Sequence, residues 1–168
     1  MDREPQAYED RRHPHRLHSE RYRAPHSVMF ITMHASAGVN LCDDTTYRAI
    51  TQVAGGMGRK YYVRIHAYCI MPDHVHFVVS LTCENGDVRK WVRYTKREIA
   101  KRLSAGGMWQ RSYWDRHARG SEAVADVVQY TLANPVRREL CYSYDQWPYS
   151  WSERRPETQG ADPNQISS

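Results

Sequence analysis

Two strand-like segments joined by a short turn constrain the fold of this chain more than any other feature of its sequence. Residues 61–70 and 74–81 are rich in β-branched and aromatic residues, and the intervening residues 71–73 read Met-Pro-Asp. Proline followed by aspartate is typical of a tight turn between strands. The sequence therefore predicts a β-hairpin that forms part of a sheet.

The segments that flank this hairpin predict an alternation of strands and helices. Residues 28–33 are apolar and β-branched, which indicates a strand. Asp44 is a candidate N-terminal cap for a helix that we expect to end at Gly55 and Gly56. A strand followed by a helix therefore precedes the hairpin.

A second helix, a strand and a third helix are predicted after the hairpin. Apolar residues recur at helical spacing over 88–103, and the aromatic segment 108–119 indicates a strand. Residues 122–133 predict a helix that ends before Pro135, since the residue before a proline is displaced from helical geometry. This order predicts an α+β fold in which helices pack on an antiparallel sheet.

The ends of the chain differ in composition from its middle. Residues 1–24 combine arginine, histidine and acidic residues with almost nothing to bury, and residues 154–168 have the same character. Such composition is typical of disordered or loosely docked segments. We expect a basic N-terminal arm, one folded domain over 25–153 and a disordered C-terminal tail.

Charge and cysteine content narrow the class of protein. The net charge is +5 and the isoelectric point is about 9.1, which suits a polyanionic partner such as nucleic acid. The 4 cysteines are scattered without a CxxC pair, which argues against a thiolate zinc site and a disulfide scaffold. The sequence contains neither an apolar run for a membrane span nor a signal peptide, so we expect a cytoplasmic protein without membrane partners.

His74 and His76 are candidate metal ligands. Side chains alternate across a strand, so two histidines two positions apart point to the same face. Imidazole suits Mn and Zn, whereas Mg requires additional oxygen ligands. An isolated pair of this kind more often consists of ordinary half-buried histidines that hydrogen-bond to neighbours, so its interpretation as a metal site depends on other residues.

A tyrosine and an amide share one face of the last predicted helix. Tyr130 and Asn134 are four residues apart, which places them one helical turn from each other. Another face carries residues suited to packing on the sheet: Val124, Val127, Val128 and Thr131. Because most of the 12 tyrosines must be structural, Tyr130 gains meaning only together with the histidines.

The helix predicted over 88–103 has a basic face suited to DNA phosphates. Its candidate contacts are Arg89, Arg93, Lys96, Arg97 and Lys101. Trp109, Tyr113 and Trp114 are candidates for stacking on unpaired bases. A solvated helix face and aromatic filler in a strand remain the alternatives for these two sets.

Together these residues resemble the REP-associated tyrosine transposases, which are single-tyrosine HUH transposases of bacteria. The resemblance extends over about residues 25–151 and rests on the stretches MPDHVH at 71–76, MWQR at 108–111, YTLANPVR at 130–137 and WPYS at 147–150. The chain departs from the family where Arg138 and Glu139 replace the usual Ala-Gly. Loss of that glycine calls into question the turn that follows the helix.

The resemblance implies a ferredoxin-like HUH fold and a specific chemistry. His74 and His76 would bind one divalent ion, Mg or Mn, with Asn134 in the place of the third protein ligand. Tyr130 would be the nucleophile that forms a 5′-phosphotyrosine and releases a 3′-hydroxyl. The substrate would be single-stranded DNA with a hairpin from a repeated palindrome, at the nucleoid in the cytoplasm, and no obligatory protein partner is evident.

Two other functions are compatible with parts of this pattern. A metal-dependent hydrolase would use the histidine pair with a carboxylate base and would form no covalent link to DNA. A non-catalytic protein that binds DNA hairpins would use the basic helix alone and would bind without regard to metal or to Tyr130. Only the transposase accounts for the histidines, the Tyr130–Asn134 pair and the charge together.

Overall fold

The computed structural model describes residues 27–118, 124–153 and 163–164. The arm predicted over 1–24 and nearly all of the tail predicted over 154–168 lie outside these residues. The described strands are β1 (Met29–His34), β2 (Val63–Ile70), β3 (His74–Leu81), β4 (Trp114–His117) and β5 (Ser150–Ser152). The described helices are α1 (Asp44–Tyr61), α2 (Val88–Arg102), α3 (Val124–Leu132) and α4 (Asn134–Arg137), with a 3-10 turn at Tyr144–Gln146.

The strands form one antiparallel sheet in the order β4-β1-β3-β2-β5. β2 and β3 form the predicted hairpin, and β3 lies at the centre with all of its residues buried. The first four strands with α1 and α2 have the β-α-β-β-α-β arrangement of a ferredoxin-like fold. The predicted α+β class is therefore confirmed, and β5, which is too short to predict from sequence, extends the sheet beyond β2.

The two faces of the sheet are covered differently. α1 and α2 pack on one face over a large core in which Trp91 of α2 contacts Phe77 of β3 at a ring-centroid distance of 5.2 Å. The indole nitrogen of Trp91 donates a hydrogen bond to the carbonyl of Ala54 in α1 at 3.1 Å. Among the described parts of the chain, α3 packs on the opposite face, where Val127 and Val128 belong to a smaller apolar cluster. The histidine pair of β3 points to this second face.

α1 corrects the predicted helix at both ends. Its N-cap is Asp43, whose carboxylate accepts a hydrogen bond from the backbone N–H of Thr46 at 2.9 Å, and the helix begins at Asp44. It then continues through the predicted stop to Tyr61. A Cβ at Gly58 would lie 2.7 Å from the carbonyl oxygen of Val63. Gly58 thus serves close backbone packing, although a glycine lowers helix propensity by about 1 kcal/mol relative to alanine.

The helix that carries Tyr130 ends as predicted, before Pro135. α3 stops at Leu132 and α4 begins at Asn134, with Pro135 in its first turn. The predicted start of this helix, residues 122–123, lies outside the described residues. Val127, Val128 and Thr131 are buried against the sheet as expected, so the opposite side of α3 remains exposed.

The turn after α4 forms although the family's glycine is missing. Glu139 has a φ of 57°, in the left-handed region that glycine occupies most easily. Its backbone N–H bonds to the carbonyl of Val136, and the N–H of Leu140 bonds to the carbonyl of Pro135, both at 2.9 Å. These two bonds constitute a Schellman motif. The departure at 138–139 therefore adds strain without changing the turn.

None of the helices described is both long and apolar enough to cross a membrane.

Candidate functional site

The two histidines of β3 form the centre of the candidate site. His74 and His76 are 4% and 8% exposed, and their Nε2 atoms lie 3.0 Å apart. Strand alternation places both rings on the α3 face, as predicted. Two nitrogens that bind one ion at roughly 2.1 Å and at about a right angle are separated by roughly 3 Å. The observed spacing therefore fits two ligands of a single metal ion.

The other nitrogen of each ring is held by a neighbour. Nδ1 of His74 lies 2.7 Å from the Asp73 carboxylate, and Nδ1 of His76 lies 2.9 Å from the Thr32 hydroxyl. An ionised carboxylate only accepts hydrogen bonds, so His74 donates from Nδ1 and keeps a lone pair on Nε2. The Thr32 hydroxyl can donate or accept by rotation, which permits either tautomer of His76. Both Nε2 lone pairs can thus face one ion without movement of either ring.

Burial favours the neutral form of both rings. It lowers the pKa of His74 against the opposing effect of Asp73, and it lowers the pKa of His76 well below its ordinary value, aided by the neighbouring charge of His74. Metal ligation requires neutral imidazole. Asp73 and Thr32 were not identified from the sequence, although their types and positions beside the histidines fit the usual partners of metal-binding rings.

A third histidine lies next to this pair. His34 of β1 is the cross-strand partner of His74, and their ring centroids are 5.4 Å apart. Its pKa is lowered by burial, while Asp73 acts in the opposite direction. Sequence analysis missed His34, although alternation within β1 places it on the same face as Thr32. Among the described residues, no group of three or more His, Cys, Asp or Glu side chains could hold a metal ion, and the predicted set contains only two residues of these types.

Tyr130 is brought to the same face as the histidine pair. Its side chain is 47% exposed on α3. Phe30 of β1 packs on His76 with ring centroids 4.9 Å apart and contacts the Tyr130 ring edge-on at 6.4 Å. One phenylalanine thus separates the predicted nucleophile from the predicted metal ligands, and solvent reaches the tyrosine from the open side.

Asn134 lies at the junction of α3 and α4 with its amide fully engaged. The amide nitrogen donates to the carbonyls of Thr131 at 2.9 Å and Tyr130 at 3.3 Å. The amide oxygen accepts a hydrogen bond from Nη2 of Arg137 at 2.9 Å. The residue therefore sits beside Tyr130, as its spacing predicted, but its oxygen faces a guanidinium. Its role as a third metal ligand stays a prediction.

The cations predicted on α2 lie on the sheet face opposite the histidine pair. Between α2 and residues 107–113 is a groove of about 320 Å³, and its polar and aromatic lining includes Arg93, Lys96, Arg97, Trp109, Arg111 and Tyr113. Arg89 and Lys101 are exposed on α2 outside this groove. The predicted DNA contacts therefore divide into groove residues and outer residues.

Lys96 differs from the other cations of α2. Its Nζ donates to the carbonyls of Gln110 at 3.0 Å and Ser112 at 2.6 Å, and burial lowers its pKa to about 8. Lys96 thus fastens the far wall of the groove to α2. Arg97 instead pairs with Glu98 at 2.8 Å at the surface.

The groove approaches the histidine site around the end of β1. The backbone N–H of Gln110 bonds to the carbonyl of His34 at 2.9 Å, and the side-chain amide of Gln110 donates to the carbonyl of Ala35 at 3.0 Å. The N–H of Ala35 in turn bonds to the carbonyl of Asp73 at 2.8 Å. The wall of the groove and the turn before His74 are therefore joined through two backbone hydrogen bonds and one from the Gln110 side chain.

The chain is similar to known transposases in sequence. The family described as Transposase IS200 like matches residues 27–131. A Haemophilus influenzae protein assigned to the REP-associated tyrosine transposases is 26% identical over 118 residues, which cover 58% of this chain and 67% of the relative. The REP-associated tyrosine transposase of Escherichia coli (strain K12) is 23% identical over 110 residues, or 66% of this chain and 67% of the relative.

A solved structure has the same fold. It is that of a REP-associated tyrosine transposase bound to a REP hairpin, with a TM-score of 0.71, 21% sequence identity, and coverage of 90% of this chain and 96% of the other. This match confirms the predicted ferredoxin-like HUH fold. The family and the named relatives confirm the resemblance inferred from the sequence and the class of enzyme that it implied.

Proposed function

The chain belongs to the family of IS200-like transposases, and we propose that it cleaves and rejoins single-stranded DNA through a 5′-phosphotyrosine with the aid of one divalent ion, Mg or Mn. The proposed substrate carries a hairpin of repeated palindromic sequence. This substrate is suggested by the related transposase of known structure, which is bound to a REP hairpin. The proposed place of action is the cytoplasm, at the nucleoid, as the family resemblance implies.

The observation that carries this proposal is the convergence of the two histidine Nε2 atoms, 3.0 Å apart, beside an exposed tyrosine. Buried apolar side chains would pack at lower cost in a central strand. His74 and His76 instead have both Nδ1 atoms anchored, which is the arrangement expected of metal ligands. Asn134 is the proposed third ligand, through its amide oxygen.

His74 and His76 would hold a divalent ion on the rigid central strand, and Asp73 fixes the orientation of the first ring. When bound there, the ion would supply positive charge that polarises the scissile phosphate and offsets the repulsion between this anion and a nucleophile. Tyr130 is held by a helix that packs on the same face, with Phe30 between its ring and His76. The hydroxyl of Tyr130 attacks phosphorus and forms the covalent link, which preserves the bond energy for resealing.

DNA binding is proposed for the cations of α2 and for the adjacent groove. Arg93, Arg97 and Arg111 line the groove with positive charge, and Trp109 and Tyr113 offer aromatic surface to unpaired bases. Arg89 and Lys101 extend the positive surface along α2. The contribution of Lys96 is indirect, because its ammonium holds the groove wall.

The proposed function is tested by search for a covalent protein–DNA product. The substrate is a pool of labelled single strands with a fixed stable hairpin and randomised nucleotides on both sides, incubated with Mg or Mn. Wild type should form a band that survives boiling in detergent, and Tyr130→Phe should form none, since it keeps the ring but lacks the attacking oxygen.

Tyr142→Phe is the matched control, because Tyr142 is 97% exposed and contacts no part of the site. It should form the covalent product at the wild-type rate. Cleavage without a covalent band in wild type would favour a hydrolase, and hairpin binding without cleavage would favour a binding protein.

A further inference from the structure

Arg137 lies directly over the predicted nucleophile. Its Cζ atom is 3.8 Å from the centroid of the Tyr130 ring, and its Nη2 donates a hydrogen bond to the amide oxygen of Asn134 at 2.9 Å. The break between α3 and α4 brings residue 137 back over the last turn of α3. One guanidinium therefore contacts both the proposed nucleophile and the proposed third metal ligand.

The charge of Arg137 is not neutralised by a carboxylate within the described parts of the chain. Two other arginines, Arg64 and Arg97, each pair with a glutamate at 2.8 Å. The hydrogen bonds of the described residues give Arg137 one acceptor, the neutral amide of Asn134. A guanidinium presents five N–H donors, so most of its capacity remains for an anionic ligand.

Arg137 is also close enough to the histidine pair for its charge to act there. Its positive charge contributes to the lowered pKa of His76, together with that of Arg138. Arg137 therefore contacts the Tyr130 ring, and its charge also reaches the histidine pair. A phosphodiester attacked by Tyr130 would come within reach of this charge.

We propose that Arg137 is a catalytic residue that binds a non-bridging oxygen of the scissile phosphate and, on doing so, releases the amide oxygen of Asn134 to the metal. A phosphate oxygen carries negative charge and is therefore a stronger acceptor for Nη2 than the neutral amide oxygen of Asn134, so Nη2 turns from the amide to the phosphate. Without DNA, the hydrogen bond from Arg137 occupies the amide oxygen of Asn134. This inference rests on the proposed function and adds a residue to its chemistry.

The cleavage step that Arg137 assists is balanced in atoms and charge. A bond forms between the Tyr130 Oη and phosphorus, and the bond from phosphorus to the 3′-oxygen breaks. The phenolic proton passes to water, and the departing 3′-oxygen takes up a proton from water. Arg137 stabilises the charge on the phosphate oxygens without exchange of a proton.

The test combines a rate with a metal affinity in Arg137→Gln. The single-turnover rate of covalent-product formation on the hairpin pool with Mn should fall about 100-fold, the effect typical of a lost transition-state donor. Affinity for Mn²⁺ alone, measured by electron paramagnetic resonance of the DNA-free protein, should be retained or increased. Arg48→Gln is the control, because it removes the same charge from an exposed position on α1 and should change neither quantity.

Arg137→Lys keeps the charge and the stem without the fork, so it should recover part of the rate. If Arg137→Gln unfolds at a lower temperature than wild type, the rate of Arg137→Lys tests the proposal in its place. A rate within tenfold of wild type in both variants would overturn the proposal, and so would a parallel loss of rate and Mn²⁺ affinity, which indicates a structural role. Absence of a Tyr130-dependent product in wild type would instead overturn the proposed function itself.

Discussion

The two faces of the central strand β3 carry different kinds of side chain. One face presents Val75, Phe77 and Val79 to the large core under α1 and α2. The other presents His74, His76, Val78 and Ser80, and within the described residues the nine-residue helix α3 covers part of it. We infer that most of the apolar stabilisation comes from the first face, and we propose that the second face holds buried polar groups for chemistry.

This division follows from strand alternation and from the cost of burying imidazole. A polar ring in a central strand must find partners, and each histidine here has a neighbour for Nδ1 and the other ring for Nε2. The side chains on the opposite face are apolar and need no hydrogen-bond partners. Substitutions at adjacent positions of β3 should therefore have opposite effects on activity and stability.

The largest effect is expected from His76→Ala. Loss of one of two converging nitrogens should remove Mn²⁺ binding and lower the rate of covalent-product formation by about 1,000-fold or more. Loss of a residue that only hydrogen-bonds to a metal ligand already lowers metal affinity or activity by about 10- to 100-fold. Isothermal titration with Mn²⁺ measures the first effect. Wild-type Mn²⁺ affinity in His76→Ala would contradict the proposal that the polar face of β3 binds the metal ion.

Phe77→Ala, one position away, should mainly destabilise the protein. Phe77 is fully buried against Trp91, and removal of such a ring costs about 3–5 kcal/mol of unfolding free energy. Urea denaturation measures the loss. At a temperature where the variant stays folded, its Mn²⁺ affinity should match wild type, and a parallel loss of both would show that the two faces are coupled.

From the sequence alone, the side chains on the polar face of β3 could be predicted better than the neighbours that contact them. Strand alternation placed His74 and His76 together, and helical spacing placed Tyr130 beside Asn134, because both patterns are local. The contacts of Thr32 and His34 depend on the register of β1 against β3, and the contact from Arg137 depends on the bend between α3 and α4. Asp73 is a sequence neighbour of His74, but its contact depends on the conformation of the turn before β3.

Errors in the predicted elements have the same non-local origin. Gly55 and Gly56 read as a helix stop, yet α1 continues past them to Tyr61, and within that continuation Gly58 packs against the carbonyl of Val63 in the next strand. Three residues of β5 form a strand only because β2 offers an open edge. Neither fact can be read from neighbouring residues in the chain.

A change on the α2 side would sharpen the comparison by separation of DNA binding from chemistry. Neutralisation of Arg93, Arg97 and Lys101 by glutamine should weaken binding to all hairpins alike and reduce the salt dependence of affinity by a slope of up to about 3 on logarithmic axes, since each phosphate contact releases about one counterion. Mn²⁺ affinity should not change. Filter binding across a salt series measures the slope, and an unchanged slope would mean that this face is merely solvated.

The smallest effect is expected from Glu139→Gly, at the turn that closes α4. Glu139 holds a φ of 57° with its N–H bonded to Val136, a conformation that costs a residue with a Cβ about 1 kcal/mol relative to glycine. The glycine variant should therefore be more stable by about 0.5–1 kcal/mol, although glycine also gains freedom in the unfolded chain. Chemical denaturation detects such a gain, with Glu84→Gly, outside any helix or strand, as a control for the general effect of glycine.

Because the turn lies just beyond Arg137, the rate of covalent-product formation should stay at the wild-type value if the strain is purely structural. A lower rate in the more stable variant would mean that the strained turn helps to hold Arg137 over Tyr130, and the chemical face would then extend past the sheet into the segment that follows α4.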